Sequence, residues 1–124
     1  MSVGLLLAVA CGSGVGSVAR YALSLRAHRD HFPWPTIAVN VAGTALLGSA
    51  LAVAAQGRLS YSAFAIIALG VAGGLTTFST LALDAVRLAR TWHLKAASLY
   101  VAITVCGGLL ASYLGWTLTL ALAT

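Results

Sequence analysis

Charge is what this sequence has least of. Of its 124 residues, seven are Lys or Arg and two are acidic, and both acids are aspartates, Asp30 and Asp84. A soluble domain of this size carries far more charge on its surface. With 60% hydrophobic residues and a mean hydropathy of +0.99, the chain reads as an integral membrane protein. At about 20 residues per span, its length admits four transmembrane helices with short loops. The expected fold class is therefore all-α, a single four-helix membrane domain over residues 1–124.

The scarcity of ionisable groups also removes chemistry. No nucleophile has an evident paired base, and there is no phosphate-binding loop and no metal-ligand cluster, so the sequence does not read as an enzyme. The two cysteines, Cys11 and Cys106, lie inside apolar segments. They are expected to be small buried thiols, because buried Cys usually behaves as a small hydrophobe. The net charge of +5 does not indicate nucleic acid. The basic residues are scattered at segment ends, where they can snorkel to headgroups or set orientation. The first segment lacks a basic leader, and its Gly/Ser-rich interior makes a poor signal-peptide core, so it is read as a retained span.

Hydropathy places the spans at about 2–24, 35–55, 61–90 and 94–122. In the first, Gly12 and Gly16 form a small-xxx-small face with Ser13 and Ser17 beside it, which lets helix backbones approach closely. Arg20 and Tyr21 follow about a turn later, either as an interfacial anchor or as a charge reaching into an aqueous vestibule. The first loop carries Arg26, His28, Arg29, Asp30 and His31 and ends in Pro33 and Pro35, the latter suited to a first helical turn. The second span holds Asn40 and Thr44 on one face. An intramembrane Asn either bonds another helix or lines a polar path.

The third span contains the stretch that organises the rest, Gly73-Gly74-Leu75-Thr76-Thr77-Phe78-Ser79-Thr80. Two glycines weaken a helix, and hydroxyl side chains can bond backbone in non-helical ways. A break at membrane depth survives only where protein or a water-filled cavity receives the freed groups. Further along, Asp84 stands three residues before Arg87, the spacing of an intrahelical ion pair. In the fourth span Tyr100, Thr104, Gly108 and Ser112 repeat every four residues as a narrow polar stripe, with Gly107, Ala111 and Gly115 on the adjoining face.

Loops 1 and 3 carry Arg26, Arg29, Arg90 and Lys95, with Arg20 and Arg87 close by, whereas the opposite side has only Arg58. The positive-inside rule puts loops 1 and 3 in the cytoplasm. The polar groups then point to a small-ion path. Asn, Ser, Thr and Tyr can donate to a hard anion without binding it irreversibly, and the edge of Phe78 is the positive part of its quadrupole. Carbonyls exposed at the break would instead suit a small cation. These residues alone leave the sign of the ion open.

Three stretches carry a resemblance: Gly14-Val15-Gly16-Ser17-Val18-Ala19-Arg20-Tyr21, Thr36-Ile37-Ala38-Val39-Asn40-Val41-Ala42-Gly43-Thr44, and Gly73 through Thr80. Together they resemble the CrcB/Fluc fluoride channels, across all four spans in order. The resemblance implies an antiparallel dimer with a broken third helix and two pores, passing cytoplasmic fluoride out of the cell passively. It implies a structural sodium ion at the dimer centre, held by the carbonyls of Gly73 and Thr76. It places Phe78 and Asn40 at the fluoride, Ser79 and Thr80 on a hydroxyl track, and Tyr100 as the pore tyrosine. Arg20 matches the arginine of the first helix, Asp84 stands where Glu is usual, and Thr104 lies toward a vestibule.

One position departs from the pattern: Leu81 occupies the place of a second pore phenylalanine. The charge bias departs as well, since copies that insert both ways need little bias between their loops. Both features imply a heterodimer with an oppositely biased homologue. Two other readings compete. A small multidrug-type proton/cation antiporter needs an acid on the first helix, and none is present. A non-transporting scaffold would account for the glycines but not for Asn40, the Thr76–Thr80 run and Tyr100 together.

Overall fold

A computed structural model of the chain describes residues 1–26 and 32–123. The loop-1 residues His28, Arg29, Asp30 and His31 lie outside the described residues. The ordered elements are α1 (Val3–Ser24), α2 (Trp34–Ala55), α3 (Tyr61–Ala65), a π-helical stretch (Ile66–Ala72), α4 (Gly73–Leu75, a single turn), α5 (Phe78–Thr91) and α6 (Leu94–Leu122). Among the described residues, four helical rods are long and apolar enough to cross a membrane, at Val3–Ser24, Trp34–Ala55, Tyr61–Thr91 and Leu94–Leu122. Each bound falls within a residue or two of the hydropathy expectation.

The ends of the rods follow from local chemistry. Ser2 caps α1 by accepting from the Leu5 amide, and Ser60 caps α3 by accepting from the Ala63 amide. Such caps satisfy one of the orphan donors at a helix start. Pro35 lies in the first turn of α2, where its missing N–H costs nothing. At the other end of α2, Gly57 takes φ 68°. Its amide bonds the Ala54 carbonyl while the Arg58 amide bonds that of Val53. This is a Schellman ending, and it needs the left-handed backbone that glycine adopts without a Cβ penalty.

Two close pairs build the bundle. The first joins α1 to the π-helical stretch and α4; the second, the largest interhelical contact, joins α2 to α6. Both rest on glycines that let backbone meet backbone. A Cβ on Gly16 would run into the Val71 carbonyl and come within 2.7 Å of the Leu75 nitrogen. A Cβ on Gly74 would strike the backbone of Ser13, and one on Gly48 that of Ser112. Without a hydrophobic drive between helices in lipid, such approach is the main source of association.

The third rod breaks at Thr76–Thr77, not at the glycine pair. Gly73 itself is helical, with φ −63° and ψ −38°, whereas Thr76 (ψ 153°) and Thr77 (ψ 120°) are extended. Gly74 is there for packing on α1, and Thr77 is there to start α5. The wide turns of Ile66–Ala72 were not expected at all, because i→i+5 bonding has no composition signature.

The cysteines correct another expectation. Cys11 and Cys106 are exposed on the chain surface rather than buried. In a membrane span the outward face is as apolar as the core, so an apolar neighbourhood does not separate inside from outside.

Candidate ion path at the broken helix

A break inside a span frees backbone groups, and here side chains from two other helices take them up. The Thr77 amide donates to Asn40 Oδ1 at 2.7 Å, and Asn40 Nδ2 donates to the Thr77 carbonyl at 3.2 Å. One side-chain amide thus pairs with both polar groups of one residue, as a neighbouring strand would. Asn40 is only 8% exposed, so its position is fixed by this pair. From α1, Arg20 Nη1 donates to the Thr76 carbonyl at 2.9 Å, and Ser17 Oγ donates to that of Gly74 at 3.4 Å. Arg20 is therefore turned into the protein, while its neighbour Tyr21 stays exposed.

Past the break the chain restarts a helix. Thr77 Oγ1 accepts from the Thr80 amide at 3.2 Å, the N-cap of α5, and donates to Thr80 Oγ1 at 3.0 Å. Ser79 Oγ lies 3.3 Å from Thr77 Oγ1. Three hydroxyls therefore gather at the positive end of the α5 dipole, a setting that favours negative charge. Phe78 stands outside this cluster with 81% of its surface exposed. It lies at a groove of about 520 Å³ walled by α2, the broken helix and α6, which Gly73, Thr76 and Asn40 also line. The wall is mostly apolar, since Thr44 and Thr104 turn their hydroxyls to backbone carbonyls on their own helices.

A second polar cluster lies farther along α5. Asp84 Oδ1 pairs with Arg87 Nη2 at 3.4 Å, as the three-residue spacing implied. Asp84 Oδ2 also accepts from Thr36 Oγ1 at 2.9 Å and from the Tyr100 hydroxyl at 3.4 Å. The carboxylate thereby ties α2, α5 and α6 together, a junction that no local spacing could reveal. Tyr100 has no exposed surface in the chain. Phe32 meets its ring edge-on at a centroid distance of 5.8 Å, and Leu81 and Leu88 share its cluster. The stripe of Tyr100, Thr104 and Gly108 is buried and serves mainly helix packing. Leu81, 8% exposed, belongs both to that core and to the groove wall.

A further cavity of about 370 Å³ opens between α1, α2 and α5. Arg20, Thr36, Thr77, Thr80, Asp84 and Arg87 line it. The break, the hydroxyl cluster and the Asp84 junction thus form one continuous polar zone in an apolar chain. Of the expected site residues, Thr76, Asn40, Ser79, Thr80, Arg20 and Asp84 fall in this zone, whereas Gly73 and Phe78 line the more apolar groove beside it. Tyr100 reaches the polar zone only through its hydroxyl, and Thr104 stands at the groove wall.

This arrangement has relatives. The sequence model of the CrcB-like proteins (Camphor Resistance, CrcB) matches residues 7–116. A fluoride-specific ion channel FluC of Thermus thermophilus is 38% identical over 121 residues, covering 95% of this chain and 95% of its own length. Proteins of the same name from Azotobacter vinelandii and Stutzerimonas stutzeri are each 39% identical, covering 94% and 90% of this chain and 98% and 93% of their own lengths. With matches of this extent, the chain belongs to the CrcB-like family.

Proposed function

We propose that this chain is a subunit of a fluoride-selective channel of the cell membrane, through which cytoplasmic fluoride leaves passively and fluoride toxicity is relieved. The observation that carries the reading is a break inside a span whose backbone is held by Asn40 and Arg20, followed by a hydroxyl cluster at Thr77, Ser79 and Thr80, with Phe78 exposed on the groove beside it. Phenyl edges and hydroxyl protons attract a small anion weakly, so the ion can leave again, and the Arg20 guanidinium beside them is engaged by the Thr76 carbonyl. The names of the relatives give the anion.

The second part of the proposal is an antiparallel dimer. Phe78 and the groove beside it lie on the chain surface, which is where a second subunit would complete the path. Gly73 and Thr76 border the same groove and would offer carbonyl oxygens to a sodium ion at the interface. One chain supplies few such oxygens, so the second subunit would supply the others. The Thr76 carbonyl already accepts from Arg20, and its second lone pair is the one left for a cation. Sodium there would hold two breaks together; its contribution is structural.

The charge bias supports a partner inserted the other way up. Loops 1 and 3 face the cytoplasm in this reading, so the second subunit would be a homologue of opposite bias. Leu81 supports the same conclusion, because it leaves a pore one aromatic edge short. Two experiments test these statements. Cells deprived of this gene should accumulate fluoride and stop growing in fluoride media that their parents tolerate; unchanged tolerance and unchanged internal fluoride contradict the channel. Fast fluoride efflux from vesicles holding this chain alone would overturn the need for a second homologue.

A further inference from the structure

The cavity between α1, α2 and α5 is not accounted for by fluoride alone. It holds about 370 Å³, far more than a bare halide needs. It exists because α1 packs on the π-helical stretch and α4, meets α2 only lightly, and has at most a marginal contact with α5 among the described residues. This leaves a crevice between α1, α2 and α5 at the end of the bundle that carries loops 1 and 3.

Among the described residues, the guanidinium groups of Arg20 and Arg87 and the carboxylate of Asp84 line the crevice, and Arg87 pairs with Asp84. Arg20 spends one N–H on the Thr76 carbonyl, and a guanidinium has five. Thr80 Oγ1 accepts from Thr77, so its own proton can be donated into the crevice. The N-terminus of α5 ends there too, at Thr77 and Thr80, and adds favourable potential for an anion. Planar guanidinium forks suit tetrahedral oxyanions better than they suit a single small halide.

We infer that this crevice seats a phosphate group between Arg20 and Arg87, and that the bound group covers the Thr77–Thr80 end of the path and slows ion passage. The second clause rests on the proposed channel function; the first does not. The phosphate could come from an anionic lipid headgroup entering sideways between α1 and α5 or from inorganic phosphate entering along the loops.

The test uses the protein purified with whatever subunit accompanies it and reconstituted in vesicles. Fluoride efflux is compared in phosphatidylcholine alone, in phosphatidylcholine with inorganic phosphate, and in phosphatidylcholine mixed with phosphatidylglycerol. Severalfold slowing by phosphatidylglycerol only assigns the site to a lipid, and slowing by inorganic phosphate assigns it to the free ion. In either case Arg87→Gln should abolish the slowing and Arg87→Lys should retain part of it. Equal efflux in all three conditions, or equal slowing in Arg87→Gln, overturns the inference. An absence of fluoride efflux from plain phosphatidylcholine would count against the channel and not against the site. The site then has its own readout: native mass spectrometry should show an adduct of phosphatidylglycerol or of inorganic phosphate on the wild-type protein that Arg87→Gln loses, and neither adduct, or one that Arg87→Gln retains, overturns it.

Discussion

Replacing Asn40 with alanine should uncouple the break from the rest of the bundle. The side chain makes two hydrogen bonds, at 2.7 and 3.2 Å, to the amide and carbonyl of Thr77. Both groups would be orphaned, since Thr77 is itself buried. Two magnitudes compete for the size of the effect. Hydrogen bonds between membrane helices average only about 0.6 kcal/mol, because the separated helices find other partners. An orphaned buried polar group costs about 1–3 kcal/mol. The second figure applies here, because Thr77 is extended and buried, so its amide is turned to Asn40 and not along a helix. Two groups then give about 2–6 kcal/mol, enough to shift the occupancy of the break by more than tenfold. Asn40→Ala should melt at a lower temperature, followed by fluorescence of the three tryptophans, and should lose fluoride efflux. Asn40→Asp keeps the acceptor for the Thr77 amide and should melt between the two whenever its carboxyl is protonated. Wild-type melting and wild-type efflux in Asn40→Ala would refute the reasoning.

Other outcomes follow from the same geometry. Gly74→Ala pushes a methyl group into the backbone of Ser13, where no rotamer can yield. It should cost about 1–3 kcal/mol and weaken the Ser17 and Arg20 bonds to the break, visible as a lower melting temperature and slower efflux. Leu81→Phe should fold, because Leu81 borders the groove and the larger ring can extend into it; efflux above wild type would support a missing aromatic edge, and unchanged efflux would count against it. Thr36→Val removes a donor from Asp84, a bond to a charged group worth about 1.5–3 kcal/mol, and should lower the melting temperature without changing which anion passes.

The spans were legible because hydropathy alone marks them, and the caps that the structure adds agree with it. Ser2 and Ser60 are good N-caps, Pro35 fits a first turn, and loop charges sit between apolar runs. The break was legible as an event but not at its site. Gly73-Gly74 signals weak helix propensity, yet the glycines remain helical, and what Gly74 supplies is the missing Cβ against α1. The extended pair Thr76–Thr77 depends on Asn40 and Arg20, which are distant in sequence. For the same reason the pairing of Asp84 with Arg87 could be read from spacing, while its bonds to Thr36 and Tyr100 could not. Asn40 was expected to face an ion; its amide is committed to Thr77 through one N–H, and its other N–H is the one available to an anion. The exposed cysteines show where composition misleads in lipid, since it does not tell the two sides of a helix apart.

The central claim is that the polar zone around Thr76–Thr80 passes fluoride selectively. The most direct measurement purifies the protein from its own cells through a tag on this chain, so that any second subunit comes with it, and compares fluoride with chloride efflux from vesicles. The account predicts fluoride efflux with no chloride efflux above that of empty vesicles. Chloride leaving as fast as fluoride, or neither ion leaving, would contradict it.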